Sequence, residues 1–293
     1  MDIRGCVYTD AGGRSDVNQD AVLLKVASSR RYGRVAFAML CDGMGGLDKG
    51  EIASAMVIRR FERWFHEELP GIMEDSEWSA RRHEGKSKMR VLTEMLSTAA
   101  HRRAFAGDVF AEASDRIRTR WVDIINEMNT RMQGYGRLYG LKLGTTLVAG
   151  IVFGNEYLIM HVGDSRAYLA DTMRLLQLTT DHTYGQYLAD EGLIAEDEAT
   201  CVEDAHLLTQ CIGASEVVEP DFTEGTFDGD AVLILCSDGF WRRQDMVRLQ
   251  KKCIVKKRAS ERSMENLCRR FVRSVRKLGE EDDASVIMLS CQG

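Results

Sequence analysis

Residues 35–50 read "VAFAMLCDGMGGLDKG", an unbroken apolar run that stops at Asp42 and then passes four glycines between Cys41 and Gly50. The run has the composition of a buried strand. Directly after it, Ile52, Met56, Val57, Phe61, Trp64 and Phe65 recur at helical spacing until Pro70-Gly71 stops the pattern. The period therefore changes at this loop. On its own residues the loop is a strand-to-helix turn, a phosphate cradle or one corner of a metal site.

Working outward, "IRGCVYT" and "AVLLKVA" precede it as two further apolar runs between turn-rich segments. A second helix is predicted around 109–133, with Phe110, Ala113, Ile117, Trp121, Ile124, Ile125, Met128 and Met132 on one face. Between the helices, roughly residues 72–105 are polar and charged, with Leu92, Met95, Leu96 and Ala99 marking an extra helix, a helical insertion. From Gly144 strands return in "GTTLVAGIVFG", "EYLIMHVG", "SRAYLA" and "RLLQLT", and short strands on tight turns imply antiparallel pairing. Residues 181–219 are irregular with short helical pieces. A strand in "DAVLILCSDG", helices near 243–252 and 260–278, and a last strand in "ASVIMLS" complete the chain. Strands at both ends with long helices between them favour a layered α+β fold over alternating βαβ units. No linker or repeat divides residues 1–293, so one domain is expected.

Composition narrows the class. With 44% hydrophobic and 29% charged residues, the 293-residue chain is that of an ordinary globular protein. A net charge of −6 with interleaved signs argues against an electrostatic nucleic-acid binder, which would usually carry a basic stripe, though it leaves room for a local basic patch. No apolar run approaches the roughly 18–20 residues that span a bilayer, and "MDIRGCVYTD" lacks a signal-peptide core. The eight cysteines form no CxxC pair, and Cys41 and Cys236 end strand-like runs, as small buried hydrophobes do in a reducing cytoplasm.

Five acidic positions share one context, the end or start of an apolar strand beside a turn. They are Asp20 in "NQDAVLL", Asp42, Asp164 in "HVGDSRAYL", Asp238 in "LILCSDGFW", and Asp282 with Asp283 in "GEEDDASVIML". One Asp-Gly after a strand is usually a turn and nothing more. Five such carboxylates converging on one edge would be too negative to persist without cations. A set of carboxylates and carbonyls suits magnesium or manganese. Gly43 would then leave its carbonyl open to a metal, and Gly45 and Gly46 would turn the loop into the helix.

The ordered set "NQD", "DGMGG", "GTTLV", "GDSRAYL", "LTTDH", "LTQCIGA", "SDGFW" and "DDASVI" resembles the bacterial metal-dependent protein serine/threonine phosphatases of type 2C, from about residue 8 to 290. The resemblance implies a four-layer α/β/β/α sandwich with two central antiparallel sheets. It implies two core Mn2+ or Mg2+ ions and a weaker third. Asp42 would bridge the core pair, the Gly43 carbonyl would ligate one ion, Asp238 and Asp282 would hold the first, and Gln19 with Asp20 would orient water at the second. Asp164 with Asp238 would hold the third. The reaction would be direct attack of a metal-bridging hydroxide on phosphoserine or phosphothreonine, without a phosphoenzyme. The substrates would be phosphorylated proteins, opposing a serine/threonine kinase, with no nucleic acid or membrane, in a cytoplasmic monomer.

Three departures accompany the match. Arg14 precedes Asp20 by six residues where relatives place a phosphate-binding arginine at five, so it is expected to bind phosphate across one extra loop residue. Met44 stands where many eukaryotic relatives have histidine as general acid, and methionine donates no proton. About 100 residues separate "DGMGG" from "GTT", which places the insertion near 72–105, while 181–219 corresponds to the family's flap. His161 and His182 are expected to be structural.

Two nucleotide readings fail on spacing. Lys49 lies between Asp48 and Gly50, not in Gly-Lys-Ser/Thr, and Met44 occupies the first glycine of an Asp-x-Gly-x-Gly loop. Still open are a phosphatase-like domain that binds a partner with little turnover, and a phosphatase acting on a stress-response regulator.

Overall fold

Strand β3 (Gly33–Cys41) shows how the layers arise. Its side chains alternate, and both faces are buried. Val35, Phe37, Met39 and Cys41 enter one core, while Ala36, Ala38 and Leu40 enter another. A strand covered on both sides needs a layer on each, which is why the run is apolar throughout. The structure is a computed structural model that describes residues 2–13, 16–29, 33–44, 49–73, 99–227, 231–256 and 260–292.

Two five-stranded antiparallel sheets form the centre. One has the order β1 (Asp2–Asp10), β10 (Ala284–Gln292), β9 (Ala231–Cys236), β6 (Arg166–Ala170), β7 (Leu175–Gln177). The other runs β2 (Ala21–Ser29), β3, β4 (Leu147–Phe153), β5 (Glu156–Val162), β8 (Asp221–Thr226). Between them Leu40, Val148 and Ile159 meet Leu233, Leu235, Ile287 and Leu289. Helices α1 (Gly50–Glu67), α2 (Leu69–Met73) and α3 (Ala99–Tyr139) cover the outer face of the second sheet, around Phe37, Phe61, Trp64 and Trp121. The rings of Phe37 and Trp64, and of Trp64 and Trp121, are each 5.4 Å apart, edge to face. Over the first sheet, α5 (Asp238–Trp241), α6 (Met246–Lys256) and α7 (Glu261–Lys277) pack through Phe240, Leu249, Cys268 and Phe271. A short helix α4 (Tyr184–Asp190), capped by Thr183, lies within residues 181–219. The expected α/β/β/α sandwich is the observed one.

Some elements differ from the sequence reading. The helix expected at 109–133 runs from Ala99 to Tyr139, so the outer residues of the expected insertion belong to α2 and α3, and its interior lies outside the described residues. Strand β8, "DFTEGT", has no apolar run because it is a half-exposed strand that, among the described residues, pairs only to β5.

Register brings the acidic turns to one rim. Ala21 pairs with Cys41, which sets Asp20 and Asp42 side by side just beyond the pair. Cys236 pairs with both Val286 and Arg166, which gathers the ends that carry Asp238, Asp282 and Asp164. Leu147 pairs with Val162, so Thr146 and Gly163 adjoin as well. The rim therefore draws on both sheets.

Candidate metal centre

A cleft of about 920 Å³ opens at this rim, lined by Gln19, Asp42, Met44, Asp164, Asp238 and Asp282 among others. Residues Ala199 to Leu208 of the irregular region wall its far side. The cleft is framed by backbone. Asp42 donates its N–H to Thr146 Oγ1 at 3.2 Å, and its carbonyl accepts from Thr145 Oγ1 at 2.8 Å and the Thr146 N–H at 2.9 Å. Thr146 Oγ1 also lies 2.7 Å from Ser165 Oγ, which joins the Asp42 turn to the Asp164 turn. The "GTT" motif is thus a bracket for two acidic loops.

Gly43 also has a packing reason. A Cβ there would collide with the carbonyl oxygens of Gly50 and Gln19. The Gly43 N–H reaches Gln19 O at 3.2 Å, so the glycine lets three backbone segments close on one another. Gly45 and Gly46, and Arg14, lie outside the described residues.

Asp20 sits behind Gln19. Its Oδ2 accepts from Ser237 Oγ at 2.9 Å, while Oδ1 is buried without a partner. Ser237 in turn accepts the Ser285 N–H at 2.9 Å. Burial pushes the Asp20 carboxyl up to about 7, against the pull of the Ser285 and Ser237 hydroxyls and with added repulsion from Asp283 and Asp238. Asp42 is raised well above the carboxylate range by burial, and then by Asp20, Asp238, Asp164 and Asp282. Asp164 is raised likewise by burial and by Asp238 and Asp181, with Arg242 opposing. Asp238 opens α5. Its Oδ2 accepts from Arg242 one turn on, and its Oδ1 is buried and unpartnered.

Residues outside the expected ligand set do the holding. Asp283 accepts the Gly12 N–H at 2.8 Å and the Gln19 N–H at 2.6 Å on its two oxygens, and so fixes the loop leading to Asp20. Arg276 grips Asp10, Glu280 O and Asp282 O, while Glu280 accepts the Asp282 N–H at 3.0 Å. Trp241 Nε1 donates to Asp164 O at 3.0 Å, and the Arg166 guanidinium lies 3.3 Å over the Trp241 ring. Arg166 also holds Asp181 by two bonds of 2.9 and 2.7 Å. His161 reaches Thr180 O at 2.6 Å, and His182 accepts the Gly163 N–H at 3.2 Å while facing Asp221 at 3.1 Å. Both histidines thus hold backbone or loop. The signal for these residues is contact across the fold, which no local spacing carries.

The donor set fits hard divalent cations. Two orphaned, buried carboxylate oxygens, on Asp20 and Asp238, stand among carboxyls that repel one another, and a bound cation relieves both conditions where protons otherwise must. The family model of protein phosphatase 2C matches residues 11–281. The chain belongs to the protein phosphatase 2C family. It is 28% identical over 255 residues to the serine/threonine phosphatase stp of Listeria welshimeri, covering 86% of this chain and 82% of that protein. The crystal structure of the serine/threonine phosphatase Stp1 from Staphylococcus aureus shares the fold with a TM-score of 0.70 at 22% identity, over 100% of this chain and 96% of that one. The catalytic domain of the phosphatase PstP, in complex with two manganese ions, has a TM-score of 0.60 at 24% identity, over 98% and 97% of the two chains. Within this family fold the acidic rim occupies strand ends from both sheets. No helix among the described residues is long and apolar enough to cross a membrane.

Proposed function

We propose that the chain hydrolyses phosphoserine and phosphothreonine in proteins with manganese or magnesium, two ions in the core and a weaker third. The observation that carries this is the pair of buried, unpartnered oxygens on Asp20 and Asp238 within a rim of five carboxylate positions beside an open cleft. Asp42, the Gly43 carbonyl, Asp238 and Asp282 would hold the core ions, with Asp20 and Gln19 at the second and Asp164 at the third. Ions held there supply positive charge to phosphate oxygens and acidify water, which is what cleavage of a phosphomonoester demands.

The chain's own residues prepare this. Thr145 and Thr146 fix the Asp42 main chain and Ser237 fixes the Asp20 carboxylate, so that little reorganisation accompanies loading. Arg14 is proposed as the cation that meets the phosphate. Met44 lines the cleft and brings no proton, so the leaving oxygen takes its proton from water. Residues 181–219 act as a flap whose polar edge selects among phosphoproteins. Opposition to a serine/threonine kinase, a monomeric state and a cytoplasmic setting belong to the same reading. Eight free cysteines suit a reducing compartment.

The test is hydrolysis of an aryl phosphate and of a phosphothreonine peptide, with and without added manganese. Turnover that rises with manganese is expected. A folded protein that binds manganese yet turns over neither substrate would leave the partner-binding reading standing instead.

A further inference from the structure

The acidic rim has a basic counterpart on the α6–α7 layer. A groove of about 410 Å³ between these helices is lined by Arg248, Lys252, Arg270, Arg273 and Lys277, with Leu267 and Phe271 among its lining residues. Arg270, Arg273 and Lys277 stand at i, i+3 and i+7 on α7, and Arg248 and Lys252 at i, i+4 on α6. Like charges at these spacings repel, so the stripe costs helix stability. Neighbouring arginines on α7 are compensated: Arg269 pairs with Glu265 and Arg276 with Asp10. Among the described residues, the five groove cations have no carboxylate partner. This stands out on a chain of net charge −6.

The C-terminal end of α7 reaches the cleft, since Arg276, beside Lys277, donates to the carbonyl of Asp282, which lines it. Arg242 lines the cleft and holds Asp238. The next residue, Arg243, donates to Leu278 O at 3.2 Å and pairs with Glu280 at 3.4 Å, directly beyond Lys277. Five residues after Lys277 the chain arrives at Asp282 in the cleft. Lys277, at one end of the basic groove, therefore stands on the part of α7 that adjoins the metal rim. The structure assigns this groove as a docking site for an acidic segment of the phosphoprotein substrate, carrying glutamate, aspartate or further phosphate beside the residue to be dephosphorylated. Charge complementarity selects the occupant. A concave channel with apolar side chains beside the cations fits an extended peptide better than a flat lipid surface. The assignment rests on the phosphatase reading of the cleft.

The experiment compares the wild type with Arg270→Glu/Arg273→Glu, two exposed positions outside the metal rim. Substrates are a fluorescent phosphothreonine peptide with a glutamate tail, the same peptide with a glutamine tail, and an aryl phosphate. The reversed charges should raise KM for the glutamate-tailed peptide about tenfold, leave its kcat unchanged, and leave the glutamine-tailed peptide and the aryl phosphate unaffected. Arg270→Gln/Arg273→Gln should fall between. Equal KM for the two peptides with the wild type overturns the assignment. So does charge-dependent capture of phosphatidylserine vesicles by a protein indifferent to the peptide tails. Fluorescence anisotropy of the glutamate-tailed peptide in EDTA reads docking without turnover. If the aryl phosphate is not hydrolysed, the phosphatase reading fails while anisotropy still decides the groove.

Discussion

Ser237 and Asp20, 217 residues apart in sequence, share a hydrogen bond of 2.9 Å that ties the end of β9 to the start of β2. It uses one oxygen of Asp20 and leaves the other buried without a partner. Ser237→Ala removes this bond and strips the Ser285 N–H of its acceptor. A loss of about 1–3 kcal/mol is expected in urea denaturation. Manganese affinity should fall about tenfold or more in calorimetric titration, because a carboxylate without its hydroxyl donor is harder to ionise.

Removing charge at the rim should separate activity from stability. Asp42→Asn and Asp238→Asn are expected to lose orders of magnitude in metal-dependent turnover while circular dichroism stays native. In metal-free protein Asp42→Asn should melt at or above the wild-type temperature, since it deletes one member of a mutually repelling set. Near-normal turnover in either variant would mean that the ligands are misassigned. Asp164→Asn should weaken activity while titration still finds the two core ions.

The pH dependence of metal-free protein follows from Asp20. Its carboxyl titrates near 7 in the fold and near 3.9 in an unfolded chain, so the folded form holds the proton more tightly. This contribution is fully present below pH ~4 and is lost as pH rises through about 7. Asp42 and Asp164, also raised, act in the same direction. Cations compete with those protons. The rise in Tm on adding manganese should therefore grow between pH 5 and 8, as differential scanning fluorimetry would show; a constant rise would contradict the assignment.

How far the sequence reveals this site depends on which interaction is asked about. The strands of both sheets are legible because burial on two faces forces continuous apolar runs, as in "VAFAMLC" and "AVLILC". The acidic turns are legible because each borders such a run. Their convergence depends on register, Ala21 on Cys41 and Cys236 on Val286, which one chain's spacing does not encode. Edge strand β8 escapes because "DFTEGT" buries little. Thr146, Ser237 and Trp241 look like ordinary turn or strand residues until the fold sets them against partners far along the chain.

Trp241 offers a test of one such support. Trp241→Phe keeps a ring beneath Arg166 but removes the donor to Asp164 O. About a tenfold fall in kcat/KM is expected, with the manganese dependence shifted to higher concentration. Arg166→Ala should instead cost about 3–5 kcal/mol of stability, because it leaves Asp181 buried and unpaired.

If the acidic rim takes its ligands from both sheets as proposed, its cations would serve as a clasp between the two halves of the sandwich. Without them, once the pH is high enough to strip their protons, the same carboxyls would act as a wedge at that edge. Loading and cohesion are then a single equilibrium, and proteases that cut transiently opened chains would sense it. A cell starved of manganese would not keep an idle pool of this protein waiting. It would lose the molecules themselves, so the supply of metal would set how much of the protein survives as well as how fast each copy works.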